Sequence, residues 1–170
     1  MTVRVIGRFD RRAALSLFGA GLVLPLLAPR LAGAGEDPRR AVVAMVEQAC
    51  DALSAHGFPR GIGRAAPDTW SRLDSGLYVF LLDRSGRLLL HRDGMMEGRD
   101  VSAAQDAAGT YFIREILALA TARPAGGWVN YLWSEGRDGA AGSKHTFCKR
   151  AVTPAGRAIT AAAGYVATEI

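Results

Sequence analysis

The chain has 170 residues, which is room for one domain of ordinary size. It carries 21 basic and 16 acidic residues and so has a net charge of +5. Taken over the whole chain, this charge would be consistent with a nucleic-acid partner. Five of the basic residues lie in the first 34 positions beside a single acidic one, and the remaining residues have a net charge of +1. A nearly neutral domain gives no support for a nucleic-acid partner, so we exclude that class.

The first 34 residues have the pattern of a bacterial export signal. Basic residues precede an apolar stretch from Ala13 to Ala28, and the small residues at 32–34 supply a cleavage site. We therefore predict a signal peptide over residues 1–34, cleaved near Ala34. The mature domain, residues 35–170, is then expected in the periplasm.

The type of this leader stays open. The Arg11-Arg12 pair followed by Leu15 is similar to a twin-arginine leader, and an ordinary secretory leader is the alternative. An uncleaved membrane anchor is the third interpretation. About sixteen apolar residues interrupted by Pro25 are fewer than the roughly 20 that span a bilayer, which argues against an anchor.

The mature chain begins with a predicted amphipathic helix. Asp37 is a suitable N-cap, and Pro38 suits the first helical position. Apolar side chains recur on one helical face, at Val42, Met45, Val46, Ala49 and Leu53. The segment from His56 to Pro59 ends the helix after about sixteen residues, and glycines and a proline keep the next stretch irregular.

A β-hairpin follows this irregular stretch. Leu77–Leu82 and Arg87–His91 are mainly apolar runs of strand length. The turn between them has Asp83 at its first position and Gly86 at its last, as tight turns prefer. Two antiparallel strands are the predicted result.

The rest of the chain predicts a connection, a second helix and three strands. A polar connection with several glycines extends from Arg92 to Gly109, and Tyr111–Ala122 has apolar residues at helical spacing. Strands are predicted at Trp128–Trp133, Lys144–Val152 and Arg157–Val166. Because strands joined by short turns pair antiparallel, we predict an α+β fold with a five-stranded antiparallel sheet and helices to one side.

The chain has two cysteines, Cys50 and Cys148. Their spacing matches no metal motif, and they could pair in an oxidising compartment. Since Cys50 lies on a predicted helix and Cys148 on a predicted strand, we favour two buried free thiols.

Five blocks of this sequence, in the same order, resemble a single Cache domain, the extracytoplasmic ligand-sensing relative of PAS domains. The blocks are GLYVFLLDRSGRLLLHRDG, EGRDVSAAQDAAGTYFIREIL, GGWVNYLW, GSKHTFCKR and AITAAAGYV. The resemblance covers about Arg39 to Val166. It implies a PAS-like fold with a long N-terminal helix packed on a curved sheet and a helix between the second and third strands. It also implies a small ligand, often a short-chain carboxylate, held between the sheet and that connection. Phe147 departs from the family, since many relatives have Tyr there.

Side-chain alternation along two strands suggests a ligand site. Lys144 and Thr146 share one side of their strand, and Tyr131 and Trp133 share one side of the preceding strand. A buried carboxylate needs a cation or several donors, and these four side chains supply both. His91, at the end of the second strand, is a further candidate donor. The alternative is that the two aromatic residues belong to the core while Lys144, Thr146 and His91 face water.

Enzyme function has no support in the sequence. There is no Gly-x-Ser-x-Gly elbow, no His-Glu-x-x-His and no phosphate-binding glycine loop, and the three histidines are widely spread. The pair Met95-Met96 has no second cluster of soft ligands. We therefore expect no catalysis, no cofactor and no metal.

These observations predict a periplasmic sensory domain that binds a small organic acid, a short-chain carboxylate. Because the chain ends at Ile170, just after the last strand, we expect it to relay occupancy to a membrane sensor kinase or chemoreceptor. The alternative is an exported interaction module that binds no ligand and forms a homodimer through its N-terminal helix.

Overall fold

The structure is a computed structural model and describes residues 37–63, 70–72, 75–134 and 142–167. The predicted signal peptide, residues 1–34, lies outside the described residues. All of these described residues belong to one compact unit. Within the described ranges, none of the helices has both the length and the hydropathy that crossing a membrane requires.

The predicted helices and strands are present, with bounds that differ by a few residues at most. In chain order the elements are α1 (Pro38–His56), α2 (Arg60–Gly63), β1 (Ser71–Arg72), β2 (Leu77–Leu82), β3 (Leu88–Leu90), a short 3-10 helix (Gly94–Met96), α3 (Phe112–Ala122), β4 (Gly127–Trp133), β5 (Gly142–Val152) and β6 (Ala158–Val166). The α+β prediction is confirmed. The sheet has a sixth strand, because the two-residue β1 pairs with β2.

The stretch after α1 is more ordered than predicted. Gly61 is one of the glycines predicted to keep this stretch irregular, yet it lies in the short helix α2. A Cβ atom at Gly61 would lie 2.8 Å from the carbonyl oxygen of Ala52 on α1. Glycine at this position therefore lets the two helices approach each other closely. A sequence pattern does not distinguish such a glycine from one that breaks a helix.

The antiparallel sheet has the strand order β1-β2-β6-β5-β4, and β3 also pairs with β2. The last strand of the chain thus lies between the hairpin and the β4–β5 pair. In the register, Ala162 of β6 lies opposite both Phe80 and Cys148. Lys144 lies opposite Tyr131 on β4. This insertion brings side chains of β2, β4 and β5 to the same face of the sheet.

One face of the sheet is covered by α1. Asp37 caps this helix by accepting a hydrogen bond from the Arg39 N–H at 3.0 Å. The helical face predicted to be apolar is fully buried, at Val42, Met45, Val46, Ala49 and Leu53. It packs against Leu77, Val79 and Leu81 of β2. The predicted amphipathic helix is confirmed.

The opposite face of the sheet is covered by α3, so the helices do not lie to one side as predicted. Phe80 and Leu82 of β2 pack there with Ile113 and Ile116 of α3. Because every residue of β2 except Tyr78 is buried, both faces of this strand need a cover. Strand pairing alone could not indicate this.

The two cysteines lie in different cores and are both free thiols. Cys50 packs in the core under α1, whereas Cys148 packs in the core under α3. Burial raises the pKa of Cys50 to about 11 and that of Cys148 to about 12. Both side chains are therefore neutral thiols with little nucleophilic character at neutral pH.

Candidate functional site

A cavity of about 200 Å³ lies on the α3 face of the sheet. Its lining comes from β2 (Tyr78, Phe80), from β3 and the residue after it (Leu88, His91), from the connection (Met96, Val101, Ala104, Gln105), from α3 (Phe112, Ile113) and from β4 and β5 (Tyr131, Trp133, Lys144). At about 30 Å³ per water molecule, this volume suits a ligand of a few heavy atoms.

The charged centre of this cavity is Lys144. Its side chain is only 5% exposed. Its ammonium nitrogen lies 4.3 Å from the centroid of the Trp133 ring and 5.6 Å from that of Tyr78. Such cation–π contacts contribute about 0.5–2 kcal/mol each and partly offset the desolvation of the ammonium group. The cavity therefore presents a buried positive charge.

Tyr131 is held rigidly in the wall beside Lys144. Its ring stacks on Phe112, with centroids 4.3 Å apart and an interplanar angle of 15°. Its Oη accepts a hydrogen bond from Thr146 Oγ1 at 3.1 Å. Burial raises the pKa of Tyr131, so the phenol keeps its proton. A phenol can donate a hydrogen bond while it accepts one from Thr146, so its proton can serve an acceptor in the cavity.

Thr146 fits behind Tyr131 because β6 has a glycine opposite it. Gly164 pairs with Thr146 in the register. A Cβ atom at Gly164 would overlap Thr146 Oγ1 and lie 2.7 Å from the carbonyl oxygen of His145. Only glycine leaves this room, so the position of the Thr146 hydroxyl depends on β6 as well as on its own strand.

His91 lies at the edge of the cavity and is half-buried. Its ring is edge-on to Tyr78 at a centroid distance of 5.2 Å, and its Nδ1 accepts a hydrogen bond from the Asp93 N–H at 3.1 Å. When Nδ1 accepts this bond, the proton of the neutral ring lies on Nε2; Nδ1 also lies 3.3 Å from the carbonyl oxygen of Asp93. Burial lowers the pKa of His91; Lys144 acts in the same direction and Asp93 against it. At neutral pH the ring is therefore an uncharged donor.

The structure brings the five predicted site residues together. Tyr131, Trp133, Lys144 and His91 line the same cavity, and Thr146 lies behind Tyr131 instead of on the wall. Lys144 and Thr146 are buried, so the alternative in which they face water does not hold. The role of the five residues in binding a ligand stays a prediction.

Several lining residues were missed by sequence reasoning. Tyr78 and Phe80 alternate on β2 with the residues that face α1, and Phe112 lies on the apolar stripe of α3. Strand alternation and helical periodicity could therefore have identified these three residues from the sequence. The contributions of the connection, Val101 and Gln105 among them, had no periodic signal because the connection forms no long regular element. The described residues contain no group of three or more His, Cys, Asp or Glu side chains that could hold a metal ion.

Comparison with known families identifies one match. Residues 72–153 match the model of a family described as the Cache domain. This interval contains all five residues predicted for the site. No curated protein matches the chain at a significant level.

Solved structures of similar fold include two described as chemotaxis proteins and one described as a chemosensory domain. The periplasmic sensor domain of a chemotaxis protein is 22% identical, with a TM-score of 0.59 over 77% of this chain and 95% of that one. A Cache chemosensory domain described for its carboxylic acid recognition is 18% identical, with a TM-score of 0.58 over 76% and 92%. A methyl-accepting chemotaxis protein from Vibrio parahaemolyticus is 16% identical, with a TM-score of 0.57 over 75% and 87%. At these identities the likeness shows the fold alone, and the predicted PAS-like Cache fold is confirmed.

Proposed function

We infer that this chain contains a Cache domain, a sensory ligand-binding module and not an enzyme, since residues 72–153 match that family, and we propose that it binds a short-chain carboxylate. The observation that carries the proposal is the buried ammonium group of Lys144 inside a cavity of about 200 Å³. A carboxylate there would meet a cation and a phenol donor from Tyr131, the groups that anion burial requires. His91 is close enough to the same cavity to add a third donor.

The rest of the lining favours a small anion with a short apolar tail. Phe80, Leu88 and Ile113 contribute apolar surface. In the part of the chain that the structure describes, none of the lining residues is acidic. An amino acid would therefore bring an ammonium group to a cavity that already holds Lys144, and like charges repel. Acetate, propionate, lactate and pyruvate have the required size and charge.

We further propose a periplasmic location and a relay to a membrane chemoreceptor or sensor kinase. The leader pattern of residues 1–34 supports export. One protein of similar fold is the periplasmic sensor domain of a chemotaxis protein, and another is described for carboxylic acid recognition. These relatives make a signalling partner the reasonable expectation for a domain that holds a ligand cavity.

The cavity favours ligand binding over the alternative of an interaction module without ligand. The described outward face of α1 carries mainly polar and charged side chains, Arg40, Glu47, Gln48 and Asp51 among them. A face of this kind gives a partner helix little apolar surface to bury. The feature that calls for a function is therefore the cavity.

A thermal-shift panel tests the proposed function. Acetate, propionate, lactate and pyruvate are added to the chain at concentrations from micromolar to tens of millimolar. We expect at least one to raise the Tm, since a ligand at 100 times its Kd stabilises the folded state by about 2.7 kcal/mol. Acetamide and propionamide, which have nearly the same shape without the charge, are the controls and should leave the Tm unchanged. If no carboxylate stabilises the chain, or the amides stabilise it equally, the proposed function is wrong.

A further inference from the structure

The part of the connection that lines the cavity is tied to β4 by the carboxylate of Asp106. Asp106 lies in the connection between β3 and α3. Its Oδ1 accepts hydrogen bonds from the N–H groups of Ala108 at 2.9 Å and Thr110 at 2.7 Å. Its Oδ2 accepts a hydrogen bond from the Leu132 N–H of β4 at 3.0 Å. One side chain thus closes a local turn and also joins the connection to a strand.

The strand end of this link lies between two cavity residues. Leu132 separates Tyr131 from Trp133, and both of these side chains line the cavity while Leu132 points outward. Among the described strands, β4 is the last in the sheet order, so the N–H groups on its outer edge have no neighbouring strand there to accept them. Asp106 supplies the acceptor that a further strand would otherwise provide.

The connection end of the link also lies at the cavity. Gln105, which precedes Asp106, and Ala104 both line it. The start of the same segment is fixed separately, because the Val101 N–H donates to the Gly86 carbonyl at 3.0 Å. Residues 101–106 are therefore held on the hairpin through Val101, on α3 through the bond from Arg114 Nε–H to the Ser102 carbonyl at 3.0 Å, and on β4 through Asp106. The bond of Asp106 is the one among these that joins the segment to the strand of Tyr131 and Trp133.

We propose that Asp106 is a positioning residue of the carboxylate site, an inference that rests on the proposed function. Its bond to the Leu132 N–H sets the distance between Gln105 on the connection and the Tyr131–Trp133 pair on β4. The bond thereby keeps the cavity narrow enough for its donors to reach a ligand of a few atoms. Asp106 does not itself contact that ligand. Without the bond, the ligand is expected to leave faster, whereas its entry is affected little.

Substitution by serine separates the two roles of Asp106. A serine hydroxyl can still accept from the N–H groups of the local turn, as in the related turns formed by serine and threonine. It is too short to bridge to Leu132 at the same time. Asp106→Ser therefore keeps the turn and removes the link to β4.

A matched control is available in the same connection. Asp100 also accepts a hydrogen bond from the N–H group two residues ahead, Ser102, at 2.9 Å. That bond stays within the connection and does not reach β4. Asp100→Ser thus reproduces the chemical change without touching the proposed link.

The experiment compares the full chain with its Asp106→Ser and Asp100→Ser variants. The most stabilising carboxylate of the thermal-shift panel is titrated well below the Tm of each protein, and its dissociation rate is followed by tryptophan fluorescence. Amide hydrogen exchange at Leu132 is measured without ligand. We expect Asp106→Ser to raise the Kd at least fivefold, mainly through the dissociation rate, and to accelerate exchange at Leu132. We expect Asp100→Ser to match the parent chain.

The opposite outcomes overturn the inference. They are an unchanged Kd in Asp106→Ser despite faster exchange at Leu132, or an equal loss of affinity in Asp100→Ser. Failure of the parent chain to bind any carboxylate would overturn the proposed function and this inference together. If the parent chain binds a carboxylate and both variants bind it with the same affinity, the inference alone is overturned.

Discussion

Replacing Lys144 with methionine is expected to weaken carboxylate binding by at least tenfold and to leave the chain folded. Hydrogen bonds to charged groups contribute about 1.5–3 kcal/mol, which corresponds to a factor of about 10 to 150 in Kd. Methionine has a similar length and is apolar, so it can pack against Tyr78 and Trp133, which contact the lysine. Because methionine can keep the apolar contacts of the lysine stem without the cost of burying a charge, the loss should appear in binding and not in folding.

Lys149 provides the matched control for this substitution. It lies on the same strand as Lys144, on the face that α1 covers, and pairs with Glu47 at 3.6 Å. Exposed pairs of this kind contribute under about 1 kcal/mol. Lys149→Met should therefore retain the affinity of the parent chain in a calorimetric titration. Equal affinities for Lys144→Met and the parent chain would remove Lys144 from the site.

Carboxylate affinity is expected to rise up to about tenfold as the pH falls from 8 to 6, through protonation of His91. In the unliganded chain, burial lowers the pKa of His91, so the ring is neutral over most of this range. A carboxylate nearby stabilises the imidazolium form and raises that pKa, so binding takes up a proton. The titratable and charged groups around the ring are Lys144, Tyr78, Arg92, Asp93 and Glu97.

The sign of this effect differs between binding and folding. Since the folded-state pKa of His91 lies below its ordinary value, the stability that this group contributes without ligand is present above pH 6.5 and is lost as the pH falls through the folded-state pKa. Binding has the opposite slope as long as the ligand stays ionised. Calorimetry at several pH values should show this slope in the parent chain and a nearly flat profile in His91→Gln. The same slope in both proteins would exclude His91 as the proton acceptor.

Most of the fold could be predicted because its elements have periodic sequence patterns. The apolar stripe of α1 from Val42 to Leu53 is buried as predicted. The turn between Asp83 and Gly86 forms as its residue types indicate, with the Asp83 side chain accepting from the N–H groups of Ser85 and Arg87. Such patterns depend on neighbours along the chain, which a sequence displays directly.

The site was predictable only in part, since it depends on contacts between distant segments. Alternation placed Tyr131 with Trp133, and Lys144 with Thr146, but it could not decide which face of the sheet is buried. That choice follows from the position of β6 and from α3, whose residue Phe112 stacks on Tyr131. The bond from the Leu132 N–H to Asp106 spans 26 residues, and no local pattern indicates it.

The central claim is that the cavity around Lys144 holds a short-chain carboxylate, and a crystal structure of the chain with its most stabilising carboxylate tests it most directly. We predict density for the ligand inside the cavity, with its carboxylate within hydrogen-bonding distance of Lys144 Nζ and Tyr131 Oη. Its apolar end should lie against Phe80 and Ile113. Density for water alone at a saturating ligand concentration, or a ligand bound outside this cavity, would contradict the claim.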